Sequence, residues 1–340
     1  MNTSVSHEPT LIDLHPEPAD MARLVREGMG RTPKQLPAWL LYDEAGSKLF
    51  DAICDQPEYS LTRTETALLE ARAAELAAAL GPGVVVEFGA GSARKVSPLL
   101  AALRPEAYLA LDISAAHLAP ACADLQRRHP ALPVLGICCD YTRLEALPAH
   151  PRLTGQRRLG FYPGSSIGNF EPAEAEALLR GFRRLLGPDS ALLVGVDHPK
   201  AVERLEAAYD DAAGISAAFA LNLLHRLNRD LEGDFDSEGF RYRARWQPGP
   251  SRIVMELVSG REQTVRLAGL TWRFEAGEPL VTEHSQKYAP AAFDRLAERA
   301  GWRPARAWSD PAGDLSLRLL VPAATTQADS AKAQAGEPRP

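Results

Sequence analysis

The chain has 340 residues, 45% of them hydrophobic, and a formal charge of -6. That length and apolar content exclude a wholly disordered chain and predict two domains, at roughly 100 to 200 residues per domain. The acidic balance argues against a surface built to neutralise phosphates, so no nucleic-acid partner is expected.

Taken in chain order, the polar start MNTSVSHEPT lacks the basic and apolar regions of a secretory leader, and no run of about 18 apolar residues follows anywhere. No membrane partner is expected, and the expected location is cytoplasmic. From about residue 80, short Val/Leu/Ile runs alternate with Ala/Leu/Arg stretches of helical spacing, the pattern of βαβ units around a parallel sheet. Strands are predicted at 84–88, 107–112, 134–138, 159–163 and 191–196, with helices at 93–103, 115–128 and 172–186. Cys54, Cys122, Cys138 and Cys139 have no metal-ligand spacing, and the adjacent pair in an apolar run reads as reduced core thiols.

Past Asp197-His198-Pro199 the alternation breaks down. A helical stretch to about Asn228 leads into strand-like segments at 241–246, 253–259 and 263–267; a helix at 290–300 and a hairpin built on 306–308 and 315–321 then return to the sheet. The expected architecture is α/β: a doubly wound Rossmann-like domain, 62–198 and 288–322, with a smaller α+β domain inserted at 199–287 and completed by the N-terminal segment 12–61. Residues 1–11 and 323–340 read as flexible termini.

Three predicted strand ends carry the chemistry. After the first, Gly89 and Gly91 let the backbone approach a ligand without an intervening Cβ. The second ends in Asp112, a carboxylate placed to accept from ribose hydroxyls, and the third in Asp140-Tyr141, an acid for an exocyclic amine beside a flat ring. A dinucleotide calls for the fuller G-x-G-x-x-G pattern, but Arg94 fills the third glycine position. An adenosine cofactor with an amino-acid end lying near Glu87, Gly89 and Lys95 fits better than a nicotinamide dinucleotide.

Five blocks resemble the histidine Nα-methyltransferase family of ergothioneine biosynthesis: Tyr42-Asp-Glu-Ala-Gly-Ser-Lys-Leu-Phe50, Pro57-Glu-Tyr-Ser-Leu-Thr-Arg-Thr-Glu65, the glycine turn, Pro163-Gly-Ser-Ser-Ile-Gly-Asn-Phe170 and Thr282-Glu-His-Ser-Gln-Lys-Tyr288. The resemblance spans residues 12 to 322 and implies a class I methyltransferase fold. It implies an S-adenosyl-L-methionine pocket of Tyr42, Gly89, Lys95, Asp112, Asp140 and Tyr141. Where the family often has Asp-Phe, this chain has Asp140-Tyr141, which keeps the ring face. It further implies an L-histidine site of Tyr59, Gly164, Asn169, Tyr209, Met255, Glu283 and Ser285 between the two domains, with trimethylhistidine (hercynine) as the product. A monomer is expected.

Methyl transfer to an amine needs a neutral nitrogen held in line with the sulfonium methyl and shielded from water, and it requires no metal. Tyr42 and Tyr59 are assigned catalytic roles as groups that orient the amine rather than deprotonate it. Asn169 and Tyr209 offer neutral donors to the substrate carboxylate. Glu283 and Ser285 alternate on an extended segment, so they share a face and can meet the two ring nitrogens of an imidazole. Each residue also has an ordinary reading: Glu283 as a surface carboxylate, Asn169 as a helix cap, Tyr209 and Met255 as packing. Two other functions fit parts of the pattern: the same reaction on another amino acid such as tryptophan, and a non-catalytic S-adenosylmethionine-sensing module.

Overall fold

The computed structural model describes residues 9–14 and 18–324. Most of the two expected flexible termini therefore lies outside the described residues. The elements run β1 (Thr10–Leu14), α1 (Pro18–Met29), β2 (Lys34–Gln35), α2 (Glu44–Cys54), α3 (Leu61–Leu80), β3 (Val84–Phe88), α4 (Ser97–Leu103), β4 (Tyr108–Asp112), α5 (Ala115–Arg128), β5 (Val134–Cys139) and β6 (Arg158–Tyr162). They continue with α6 (Pro172–Leu186), β7 (Ser190–Asp197), α7 (Val202–Tyr209), α8 (Ile215–Asp230), β8 (Phe240–Gln247), β9 (Arg252–Ser259), β10 (Gln263–Leu267), β11 (Leu270–Phe274), β12 (Pro279–Gln286), α9 (Pro290–Arg299), β13 (Trp302–Ser309) and β14 (Leu315–Pro322).

Eight strands form the large sheet in the order β1-β5-β4-β3-β6-β7-β14-β13. All neighbours from β1 to β7 run parallel, and only the pairings of β14, with β7 and with β13, are antiparallel. The chain winds outward from β3 in one direction through β4 and β5, and in the other through β6 and β7. The turn after β3 thus lies at the topological switch point, where open α/β sheets bind ligands beyond their carboxyl ends.

Both faces of the sheet are covered, which is why its strands read as near-continuous apolar runs. Val84, Val86, Phe88, Leu109 and Leu111 pack with Phe182 of α6 and Phe293 of α9. The alternate residues Val85, Tyr108 and Ala110 join a cluster with Leu99 of α4 and Leu118 and Leu125 of α5. Phe88 and Phe182 stack with centroids 3.9 Å apart; burying a phenylalanine contributes about 1.5–3 kcal/mol. Helix α6 has Pro172 in its first turn and Gly187 at its C-cap, with a φ of 88°, matching the predicted limits.

The smaller sheet has the order β2-β12-β9-β8. Its Leu257 and Leu280 pack in the same cluster as Leu223 and Leu227 of α8, while Ala244, Ile253 and Met255 pack with Leu205 of α7.

The structure departs from the sequence expectation at three places. Strand β1 pairs with β5 at the edge of the large sheet, from Thr10 opposite Leu135 to Leu14 opposite Cys139, so residues 12–14 do not join the smaller domain with the rest of 12–61. Helix α4 starts at Ser97 rather than at 93, because Ala93 takes a left-handed φ of 51° that ends the glycine turn without entering a helix. The single helical stretch after Pro199 is two helices, broken between Asp210 and Gly214, where Gly214 has a φ of 73°.

Candidate active site

The carboxyl ends of β3, β4 and β5 lie side by side and bring the first group of residues together. Gly89 and Gly91 have φ of 74° and 51°; a Cβ on Gly91 would meet nothing within 4 Å, so the turn borders open space. Asp112 is 9% exposed, its Oδ2 accepting from the Gly91 N–H at 2.8 Å and its Oδ1 from the Ser114 N–H at 2.9 Å. Burial raises the Asp112 carboxyl above its usual range, opposed by those amides. Asp140 is half-buried, with Oδ1 accepting from the Thr142 N–H and hydroxyl. The Tyr141 ring meets Phe88 edge-on at 6.0 Å, and its hydroxyl would lie 3.6 Å from a Cβ on Gly89.

Two buried carboxylates flank this turn. Glu87 accepts from the Tyr108 hydroxyl at 2.5 Å, and burial pushes it up to about 8. Glu65, on α3 and fully buried, pairs with Lys95 at 3.2 Å and accepts from the Gly164 N–H at 2.8 Å. Lys95 is thereby tied to the loop after β6. The set fits an adenosyl amino acid: glycine backbone for close approach, two carboxylates at neighbouring strand ends for hydroxyl and amine donors, and a ring beside them.

A second group lines a cavity where the loop after β6 faces the smaller sheet. Tyr42, Tyr59, Gly164, Asn169, Tyr209, Met255, Glu283 and Ser285 all border it. Tyr42 follows a short 3-10 turn, Ala38–Leu41, and precedes Asp43, whose side chain caps α2 by accepting from the Gly46 N–H at 2.8 Å. Such a cap stabilises a helix by about 0.5–2 kcal/mol. Asn222 and Arg229 of α8 also donate to Asp43, so the segment carrying Tyr42 is fixed to the smaller unit.

Tyr42 meets Phe50 and Phe219 edge-on at 5.4 and 5.3 Å, and Tyr59 meets Tyr209 at 5.8 Å. Burial raises the phenols of Tyr42 and Tyr59 well above their usual value. They remain protonated through the neutral range, suited to hydrogen bonding and poorly suited to removing a proton.

Asn169 closes the 3-10 turn Ser166–Asn169 after β6 and donates through Nδ2 to Glu283 Oε1 at 2.8 Å. It does not cap α6, where Glu171 is the cap residue and its N–H donates to Glu174. Glu283 is 9% exposed. Burial pushes it up to about 8, against the Tyr42 hydroxyl 3.5 Å away and the charge of Lys287. Ser285 Oγ lies 2.7 Å from Tyr209 Oη. His284, between them in sequence, pairs with Glu171 and contacts Arg252 on the opposite side of β12; burial lowers its imidazole to about 4.

Several residues that line the cavity or bond to its lining were not singled out from sequence. Phe50, Glu65 and Lys287 fall within the blocks that carried the resemblance, which was the available signal. Phe219 and Tyr242, on an Ala/Leu helix and an alternating strand, gave none.

A Rossmann-like sheet of this order, with a glycine turn and acidic strand ends beside an inserted pocket, defines the protein as an S-adenosylmethionine-dependent methyltransferase. The family model described as histidine-specific methyltransferase, SAM-dependent, matches residues 21–322, and the chain belongs to that family. The histidine N-alpha-methyltransferases of Mycobacterium tuberculosis (strain CDC 1551 / Oshkosh) and Mycolicibacterium smegmatis (strain ATCC 700084 / mc(2)155) are each 39% identical over 307 residues, covering 88% of this chain and 94% of theirs. Ergothioneine biosynthesis protein 1 of Neurospora crassa is 31% identical over 309 residues, 85% of this chain and 33% of that longer protein.

Proposed function

We propose that the enzyme transfers three methyl groups in succession to the α-amino group of L-histidine, giving trimethylhistidine (hercynine) for ergothioneine biosynthesis. The observation that carries this reading is the joint placement of Glu283 and Ser285 on one wall of the cavity, with Asn169 on Glu283 and Tyr209 on Ser285. An imidazole offers one N–H and one bare nitrogen, and a carboxyl oxygen beside a hydroxyl matches that pair. An indole has a single N–H and no acceptor nitrogen, so it leaves a buried polar group unmatched.

S-adenosylmethionine, held by Tyr42, Gly89, Lys95, Asp112, Asp140 and Tyr141, supplies an electrophilic methyl when bound. The remaining work falls to the chain's own residues. Tyr42 and Tyr59, kept protonated by burial, hydrogen-bond and orient the amine, while Phe50 and Phe219 keep water from it. Gly164, Asn169, Tyr209 and Met255 complete the substrate site in this reading.

The division into a cofactor unit (62–198 and 288–322) and a substrate unit (12–61 and 199–287, less strand β1) belongs to the same proposal. So do a monomer and a cytoplasmic location; no described helix is long and apolar enough to cross a membrane.

The test is mass spectrometry of the purified enzyme incubated with S-adenosylmethionine and all free amino acids. Gains of one, two and three methyl masses on histidine alone are expected. Methylation of another amino acid instead overturns the substrate reading, and cofactor binding without any product overturns the catalytic one.

A further inference from the structure

Behind the two hydroxyls at one end of the cavity lies a buried ammonium that the reading above does not use. Lys287 is 1% exposed. Its Nζ donates to Tyr209 Oη at 2.7 Å and to Ser285 Oγ at 2.8 Å, and it pairs with Asp197 Oδ2 at 2.6 Å. An ammonium has three hydrogens and accepts nothing, so its capacity is filled. Burial opposes the charge on Lys287, but Asp197 outweighs it and pushes the ammonium up to about 12. Asp197 closes β7 and is itself braced by Lys200 at 2.6 Å.

The hydrogen count has a directional consequence. Tyr209 and Ser285 own one hydroxyl hydrogen each, and their oxygens are 2.7 Å apart. Both oxygens accept from Lys287, so neither hydroxyl hydrogen points toward the ammonium. One of the two lies in the bond between the hydroxyls. The other is left to point outward from an oxygen whose two acceptor positions are occupied, while the oxygen that donates within the pair keeps one acceptor position open.

We propose that Lys287 is a positioning residue for substrate choice: by filling one acceptor position on each oxygen it holds the Tyr209–Ser285 pair with one hydroxyl hydrogen directed outward, so that this end of the cavity offers a donor to a bare ring nitrogen. The inference rests on the reading that Ser285 meets the substrate ring. With Glu283 supplying an acceptor oxygen at the other position, the site suits a neutral imidazole, which brings one N–H and one bare nitrogen. An indole presents no acceptor nitrogen, so it leaves the outward hydroxyl hydrogen unmatched.

Lys287→Met removes the three donors and the charge while keeping an unbranched chain. The expected result is a rise in KM for histidine of about tenfold or more, with kcat reduced by less than about threefold. Affinity for S-adenosylmethionine, measured by calorimetry, is expected to stay within about twofold and reports that the fold is intact. In a Tyr209→Phe/Ser285→Ala background the same substitution should change KM by less than about twofold, because no hydroxyl is left to direct.

An equal rise in KM in both backgrounds overturns the proposal and assigns Lys287 to general packing; so does an unchanged KM in Lys287→Met when Ser285→Ala alone raises it. Ser285→Ala without effect on KM overturns the ring reading itself, and the proposal with it. If Lys287→Met does not fold, Asp197→Asn/Lys287→Met removes the charge pair together, and the same cycle is read in that variant.

Discussion

Glu283 is the most informative titratable group in the cavity. Its carboxyl is pushed up to about 8 by burial, whereas in an unfolded chain it titrates near about 4.3. The folded state therefore binds this proton more tightly than the unfolded state. The stability it lends is complete below the unfolded value and is lost as pH rises through the folded one. Glutamine stays neutral throughout, so the melting temperature of ligand-free Glu283→Gln, less that of the wild type, should grow from about pH 5 to about pH 9. A difference independent of pH across that range would show that the carboxylate is not desolvated as described. The identity of Glu283 as a candidate was legible in sequence because it alternates with Ser285. Its bond to Asn169 was not, since 114 residues separate the two.

At the scale of elements, the site depends on β12 lying against the 3-10 turn after β6. Gly168 sits in that turn, and a Cβ there would come within 2.6 Å of the Gln286 carbonyl oxygen and 3.1 Å of its nitrogen, both backbone atoms. Gly168→Ala should therefore move the turn away from β12 and stretch the Asn169–Glu283 contact. A displacement near 1 Å costs up to about a hundredfold in rate, so kcat/KM for histidine is expected to fall about ten- to a hundredfold while S-adenosylmethionine affinity changes little. Steady-state kinetics beside calorimetry checks both halves. Strands β3 and β10 and helices α5 and α6 were read from sequence with their observed limits, because their periodicity and end signals agree. Strands β1, β2 and β11 were not read, and the wide turn before α4 was taken for helix. Short strands are decided by the partner they pair with, and left-handed Ala93 leaves no mark in composition.

For the whole molecule, the two sheets share a core. Val85, Leu193 and Leu317 of the large sheet belong to one apolar cluster with Leu257 and Leu280 of the smaller sheet and Leu223 of α8. Loss of either sheet strips apolar partners from the other, so thermal unfolding is expected as one transition in calorimetry, with calorimetric and van 't Hoff enthalpies in agreement. Two resolved transitions would mean that the units fold independently. The amino-acid sequence by itself determined the α/β class, the glycine turn with its acidic strand ends, and eight of the residues around the cavity. These rest on local periodicity, on glycine and carboxylate placement, and on contiguous blocks. Only the tertiary structure decided that β1 joins the large sheet and that Lys287 backs Tyr209. These depend on groups brought together across 78 and 125 positions of chain, and a hydrogen bond at that separation has no signature in local sequence.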